Sequence, residues 1–304
     1  MSVRKLHVRL ISPWSRRIET DEAIFDCELT AEKADALLCE WAPSDELFTF
    51  PRRKAWYCCE PQCQFQRLDG GRWPKLKKKL SEAEFLYHAH PDSRYRVPHM
   101  THYESLRMNH KKDRKTRAIA IVSNHGGSPL FRHRDIAYRN ALITDPRVDL
   151  FGRAGWKTYR AAWYRFPGAP ANYQGEIQGD WPAEQKRMLM SQYKVCVCLE
   201  NMNEPGYFTE KFVEAVVAGC IPVFRAAVDI RETFLKGACW FDPGDAKHFG
   251  KEAIAAALEG NLEACQETNE RWLNESIALG STRSQEVFNK IGLILTDDGT
   301  GTTS

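Results

Sequence analysis

The 304-residue chain has no uninterrupted apolar run of the ~18 residues that a membrane-spanning helix needs. It lacks a charge excess: 43 Lys+Arg stand against 40 Asp+Glu, a net of +3, which argues against a dedicated nucleic-acid binder. It has no internal repeat and no apolar h-region near its start. Charges are spread through Met1–Leu10, so that stretch reads as a first β-strand and not as a signal peptide. Without an export signal, the ten cysteines read as reduced thiols of a cytoplasmic protein. Cys58, Cys59 and Cys63 lack a CxxC pair or a nearby His at ligand spacing, which favours packing over a metal site.

What the chain does have is the means to bury a core. Apolar residues make up 43% and charged residues 27%, with nine Trp, fifteen Phe and ten Tyr, a composition that excludes wholesale disorder. The length suits two domains. Short apolar runs at Leu6–Ile11, Ala36–Cys39, Ala55–Cys59 and Phe85–His88 predict strands in a first domain, 1–112. The charged stretch His110–Arg117 reads as a linker at the boundary. Beyond it, 113–296 alternates strand and helix. Strands are predicted at Ala118–Val122, Val148–Gly152, Val195–Leu199 and Ile221–Phe224, and helices at about 132–142, 210–218, 253–258 and 262–273. The tail, 297–304, reads as disordered. Two such blocks predict an α/β fold, with ligand sites at the carboxyl ends of the strands.

The densest polar segment follows the Val195–Leu199 strand: Glu200, Asn201, Asn203, Glu204, Tyr207, Thr209, Glu210 and Lys211. It runs into a helix N-terminus, where backbone N–H groups and the dipole favour an anion. A cation in the first turn opposes that dipole, so Lys211 needs a further reason, and a phosphate ligand supplies one. The plain alternative is a solvated helix start. Arg132 and Arg134 repeat the theme after the Ala118–Val122 strand.

Three pieces of this region carry a resemblance: Tyr193–Asn201, then Gly206-Tyr207-Phe208-Thr209-Glu210-Lys211, then Ala218–Val223. Their order and spacing resemble the signature of the α1,3/4-fucosyltransferases, glycosyltransferase family 10. Ser123-Asn124 with Arg134 and Tyr138, and Val148–Arg153, extend it. Trp56–Glu60 and Arg94–Pro98 resemble landmarks of the acceptor-binding half. The likeness spans about 54–245, and the first fifty residues carry none of it. Leu199 stands where Phe is usual, and Arg225 where Gly is usual. The departures keep open a same-fold transferase using another nucleotide sugar.

The resemblance implies a GT-B architecture, two Rossmann-like domains facing across a cleft, with the acceptor glycan on the first and GDP-fucose on the second. It implies an inverting transfer of fucose to an acceptor sugar, in α1,3 linkage to N-acetylglucosamine or glucose, with no cofactor and no obligatory metal. Cations then take the metal's place at the departing diphosphate. Arg134 and Lys211 are the matched cations, with Arg134 preferred to Arg132 because Tyr138 follows it by four. Asn201, Tyr207 and Glu210 complete the donor set. Glu60 matches the general base, and Glu46, expected in a loop, matches nothing. A non-catalytic glycan-binding relative is the rival class. The Lys75–Lys79 run reads as a solvated face, with contact to a membrane surface or an acidic glycan as the alternative.

Overall fold

A computed structural model describes residues 4–12, 17–40, 44–57, 78–79, 86–89, 107–122, 140–152, 170–177, 183–200, 203, 208–244 and 251–296. The chain forms two compact units, Met1–Val97 with Leu279–Ser304, and Pro98–Ala278.

The first unit is built on a six-stranded sheet. Its strands are β1 (Leu6–Ile11), β2 (Arg17–Glu19), β3 (Ala23–Asp26), β4 (Ala36–Glu40), β5 (Lys54–Tyr57) and β6 (Leu86–Ala89), ordered β2-β3-β1-β4-β5-β6. Only β2 runs antiparallel, against β3 at one edge. All five residues of β4 are buried, as a central parallel strand covered on both faces requires. One face packs Val8, Leu10, Phe25 and Leu38 against Phe288, Ile291 and Leu295. The other packs Leu37, Cys39 and Trp56 against Leu47 and Phe50, on and beside the short helix α1 (Asp45–Thr49).

Glu46 therefore lies in a helix, not a loop, and Arg9 grips both of its carboxylate oxygens, with Nε–Oε1 at 2.6 Å and Nη2–Oε2 at 3.1 Å. Glu46→Gln should lower stability by up to about 1 kcal/mol, the upper range for a partly exposed pair, and leave turnover near wild type. Thermal melts with turnover measured in parallel check this. A large loss of turnover in a variant that stays folded would contradict it.

The second unit holds five parallel strands: β7 (Lys115–Val122), β8 (Val148–Gly152), β9 (Tyr173–Glu176), β10 (Tyr193–Val197) and β11 (Ile221–Val223). Among the described residues its helices include α2 (Ala183–Met190), α3 (Glu210–Val217), α4 (Val228–Glu232), α5 (Lys251–Glu259) and the first part of α6 (Leu262–Thr296). Alternation decides which side chain goes where. Ala118, Ala120, Val195, Val197, Ile221 and Val223 face Ile254 and Ala257 of α5. Ile119, Cys196 and Cys198 face Phe212, Val213 and Val216 of α3 and Trp272 of α6. The Phe212 ring meets both Phe224 and Trp272 edge-on at centroid distances of 5.2 Å.

Helix α6 is far longer than the 262–273 segment expected. Its late apolar positions, Phe288, Ile291 and Leu295, belong to the core of the first unit. The expected domain 113–296 gives that end to the second unit; the apolar stripe at i, i+3 and i+7 gives it to the first.

The charged stretch expected to be a linker is a clamp. The Asn109 N–H donates to Val217 O at 2.8 Å, and the Arg114 guanidinium donates to Ala218 O at 3.0 Å and Tyr193 O at 3.1 Å. Val217 O and Ala218 O lie at the end of α3, where a cation also suits the dipole, and Tyr193 O opens β10. Lys115–Arg117 are already strand. Gly219 completes the stop: its N–H reaches Val216 O, the Cys220 N–H reaches Ala215 O, and its φ is +74°. A Cβ there would stand 2.0 Å from Asn109 O and 2.5 Å from an Arg114 nitrogen. Gly219→Ala should cost about 1–3 kcal/mol from the backbone conformation, with the clash adding to it. A melting temperature close to wild type would show that the clamp gives way at no cost.

Candidate active site at the carboxyl edge of the second sheet

The strand order β11-β10-β7-β8-β9 contains one reversal. The chain runs outward from β7 to β9, then returns to β10 on the other flank of β7. In open α/β sheets the crevice at such a reversal, outside the carboxyl ends of the strands, is where ligands bind. Residues 123–139 leave the end of β7 and 198–209 leave the end of β10, and these strands are neighbours. Both segments singled out for anion binding thus start at the switch point.

Of the predicted donor residues, Glu210 and Lys211 open α3, behind an extended N-cap at Thr209. Arg134, Arg132, Asn201, Tyr207 and the expected base Glu60 lie outside the described residues, as do Cys58, Cys59, Cys63, residues 75–77 and the tail 297–304.

The arrangement around Lys211 turns on Glu200, to which the sequence reading gave no role of its own. Its side chain is only 3% exposed. One carboxylate oxygen accepts the Thr209 backbone N–H at 2.6 Å, and the other accepts the Thr209 hydroxyl at 2.8 Å. This resembles a capping box in which the acidic residue arrives from nine positions earlier in the chain. The Lys211 ammonium lies 2.9 Å from Thr209 Oγ1, 3.4 Å from Glu200 and 3.4 Å from Glu210. Burial pushes the Glu200 carboxyl above its ordinary range, and Lys211 and Thr209 offset part of that rise. So the protein itself supplies a reason for a lysine at the start of α3: it faces a buried carboxylate.

The opening of the motif has structural work to do. The Tyr193 hydroxyl donates to Asp149 Oδ2 at 3.0 Å, the Lys115 ammonium sits 4.7 Å above the Tyr193 ring, and Arg117 binds Asp149 at 2.7 Å. Burial and the hydrogen bond to Asp149 hold the phenol well above its usual range. The Lys194 ammonium donates to Leu258 O at 2.6 Å, at the end of α5. All these groups sit at or near the amino ends of the strands, away from the switch point. They register β7, β8 and β10 so that the carboxyl ends of these strands lie side by side.

Among the described residues no group of three His, Cys, Asp or Glu side chains is placed to hold a metal ion. No described helix is long and apolar enough to cross a membrane.

Comparison with known proteins agrees with this geometry. Residues 111–249 match the family model for glycosyltransferase family 10 (fucosyltransferase), C-terminal part. T4 phage BGT, a β-glucosyltransferase, in complex with UDP and Mn2+ is a structural relative with a TM-score of 0.52 at 12% identity, over 90% of this chain and 87% of that one. A β-glucosyltransferase described as a DNA-modifying enzyme also gives 0.52 at 12%, over 86% and 75%. An α1,3-fucosyltransferase gives 0.49 at 15%, over 98% and 92%. At such identities the β-glucosyltransferase likeness speaks to fold alone, and the fold is α/β of the GT-B kind, with two Rossmann-like units.

Proposed function

Since the chain belongs to glycosyltransferase family 10 through residues 111–249, and is a glycosyltransferase, we propose that it moves L-fucose from GDP-fucose to a hydroxyl of an acceptor glycan. The reaction inverts the anomeric carbon, from β-linked donor to α-linked product, and the linkage is α1,3 to N-acetylglucosamine or glucose. One observation carries this reading: within the family-matched domain, Glu200 lies just past the end of β10 and Thr209, Glu210 and Lys211 form the N-terminus of α3, at the switch point of a parallel sheet.

In this reading the second unit holds the donor and the first the acceptor, in the reducing cytoplasm that buried free thiols such as Cys196, Cys198 and Cys220 suit. Breaking the glycosidic bond leaves negative charge on the departing diphosphate, and preorganised cations stabilise that charge as it develops. Lys211 is one. It is already flanked by Glu200 and Glu210, so this trio carries a net negative charge when both carboxyls are ionised. A diphosphate therefore needs a second cation, which is the role given to Arg134. Asn201 and the Tyr207 hydroxyl add hydrogen bonds to the nucleotide, and Glu210 accepts from ribose or fucose hydroxyls. Glu60 takes the acceptor's proton. With cations in the metal's place, EDTA should leave turnover unchanged, and loss of turnover restored by Mn2+ would contradict the metal-free scheme.

The donor assignment is tested by thermal stability across nucleotides. GDP or GDP-fucose at ~100 times its dissociation constant should stabilise the protein by ~2.7 kcal/mol. UDP-sugars should produce no shift. The reverse pattern would move the chain to another nucleotide sugar.

A further inference from the structure

We propose that Glu200 is a positioning residue for the transfer: its buried carboxylate fixes the Lys211 ammonium and the Thr209 cap in the geometry that meets the diphosphate. The proposal rests on the reading of Lys211 as a leaving-group cation. A lysine has four rotatable side-chain bonds and strongly hydrated charge, so a free one at a helix start sweeps a wide volume. Here the volume is restricted from two sides. Thr209 Oγ1 lies 2.9 Å from the ammonium and Glu200 Oε2 3.4 Å from it, and Thr209 is itself held to both Glu200 oxygens through its N–H and hydroxyl. Glu200, Thr209 and Lys211 form a closed triangle. Its rigid corner is the carboxylate, anchored at the carboxyl end of β10 and nearly out of water.

Preorganisation is the physical gain. A cation fixed before the donor arrives loses little further freedom in the transition state, and its field acts from a buried site where water screens it weakly. Glu200→Gln keeps the shape and an oxygen for the Thr209 N–H, but removes the charge that holds the ammonium. Thr209→Val removes the hydroxyl that links the other two corners of the triangle.

A double-mutant cycle on turnover separates positioning from mere folding. With GDP-fucose and acceptor saturating, Glu200→Gln should lower kcat by about tenfold or more, within the range of coupling seen for residues in one network. In a Lys211→Met background the same substitution should change kcat by less than about twofold, because the group it positions is gone. Equal losses in the two backgrounds would show that Glu200 acts only on the fold and would overturn the proposal while leaving the fucosyl-transfer reading intact. If Glu200→Gln does not fold, the cycle is run with Thr209→Val, for which the same two results hold. Absence of any transfer from GDP-fucose by wild type would overturn the functional reading, and the positioning role with it.

Discussion

Glu60→Gln is expected to lower fucosyl transfer by about 10²- to 10⁴-fold while GDP-fucose binding survives, the loss typical of a removed general base. The acceptor hydroxyl must shed its proton as it attacks a carbon that is becoming oxocarbenium-like. A carboxylate within hydrogen-bond reach is the plainest acceptor for that proton. Glu60 follows β5 by three residues, beyond the carboxyl end of a strand paired in parallel with β4 and β6. The chain therefore leaves β5 on the edge of the first sheet where ligands of such folds lie. Glutamine keeps the size and removes the basicity, so the donor-induced thermal shift should match wild type. The control is Glu46, whose ion pair with Arg9 belongs to the fold. If Glu60→Gln retained more than about a tenth of turnover with donor saturating, well short of the range for a lost base, the base would be sought at Asp92 or Glu104, the acidic residues flanking the Arg94–Pro98 stretch.

Lys211→Ala should cost about 10²- to 10³-fold in turnover, the loss expected when one preorganised charge at a developing anion is removed. It should weaken GDP as well, since the diphosphate is present in product and substrate alike. Some stability goes with it, because Glu200 loses the opposite charge that offsets its burial, and its carboxyl then rises further. Lys211→Met retains much of the aliphatic stem and separates the two effects. It should melt closer to wild type than the alanine variant yet be as slow in turnover. Arg134→Ala should resemble Lys211→Ala in kinetics, and Arg132→Ala should be much milder. Sensitivity at Arg132 in place of Arg134 would shift the alignment of that segment by two residues.

Strands with short apolar or alternating runs were legible in the sequence. Leu6–Ile11 and Val148–Gly152 coincide with β1 and β8 residue for residue. What escaped had weak or divided signals. The edge strand β9, Tyr-Gln-Gly-Glu, alternates half-buried and exposed residues and buries none, so it offers no apolar face to read. The late stretch of α6 was missed because Gly280, Ser281 and Thr282 interrupt the pattern before Phe288 resumes it. The 110–117 charge run looked solvated, whereas Arg114 reaches backbone carbonyls brought together from 79 and 104 residues away. Local composition carries no trace of such partners.

The site divides in the same way. Lys211 stood out because a cation opposes the dipole of its helix. Glu200, its partner, was hidden among several polar neighbours. The available clue was position: it directly follows the apolar Val195–Leu199 run, where a carboxylate is carried into the interior unless the chain turns at once.

Transfer of fucose from GDP-fucose is assigned to a site at the β7–β10 switch point. The most direct test is product analysis after incubation with GDP-fucose and a panel of acceptor disaccharides, with GDP-mannose and UDP-sugars as parallel donors. GDP release should be matched one-to-one by a fucosylated product carrying an α-anomeric linkage, formed only from GDP-fucose and strongly reduced in Lys211→Met. A product formed from a UDP-sugar in place of GDP-fucose, or a β-anomeric fucoside, would contradict it.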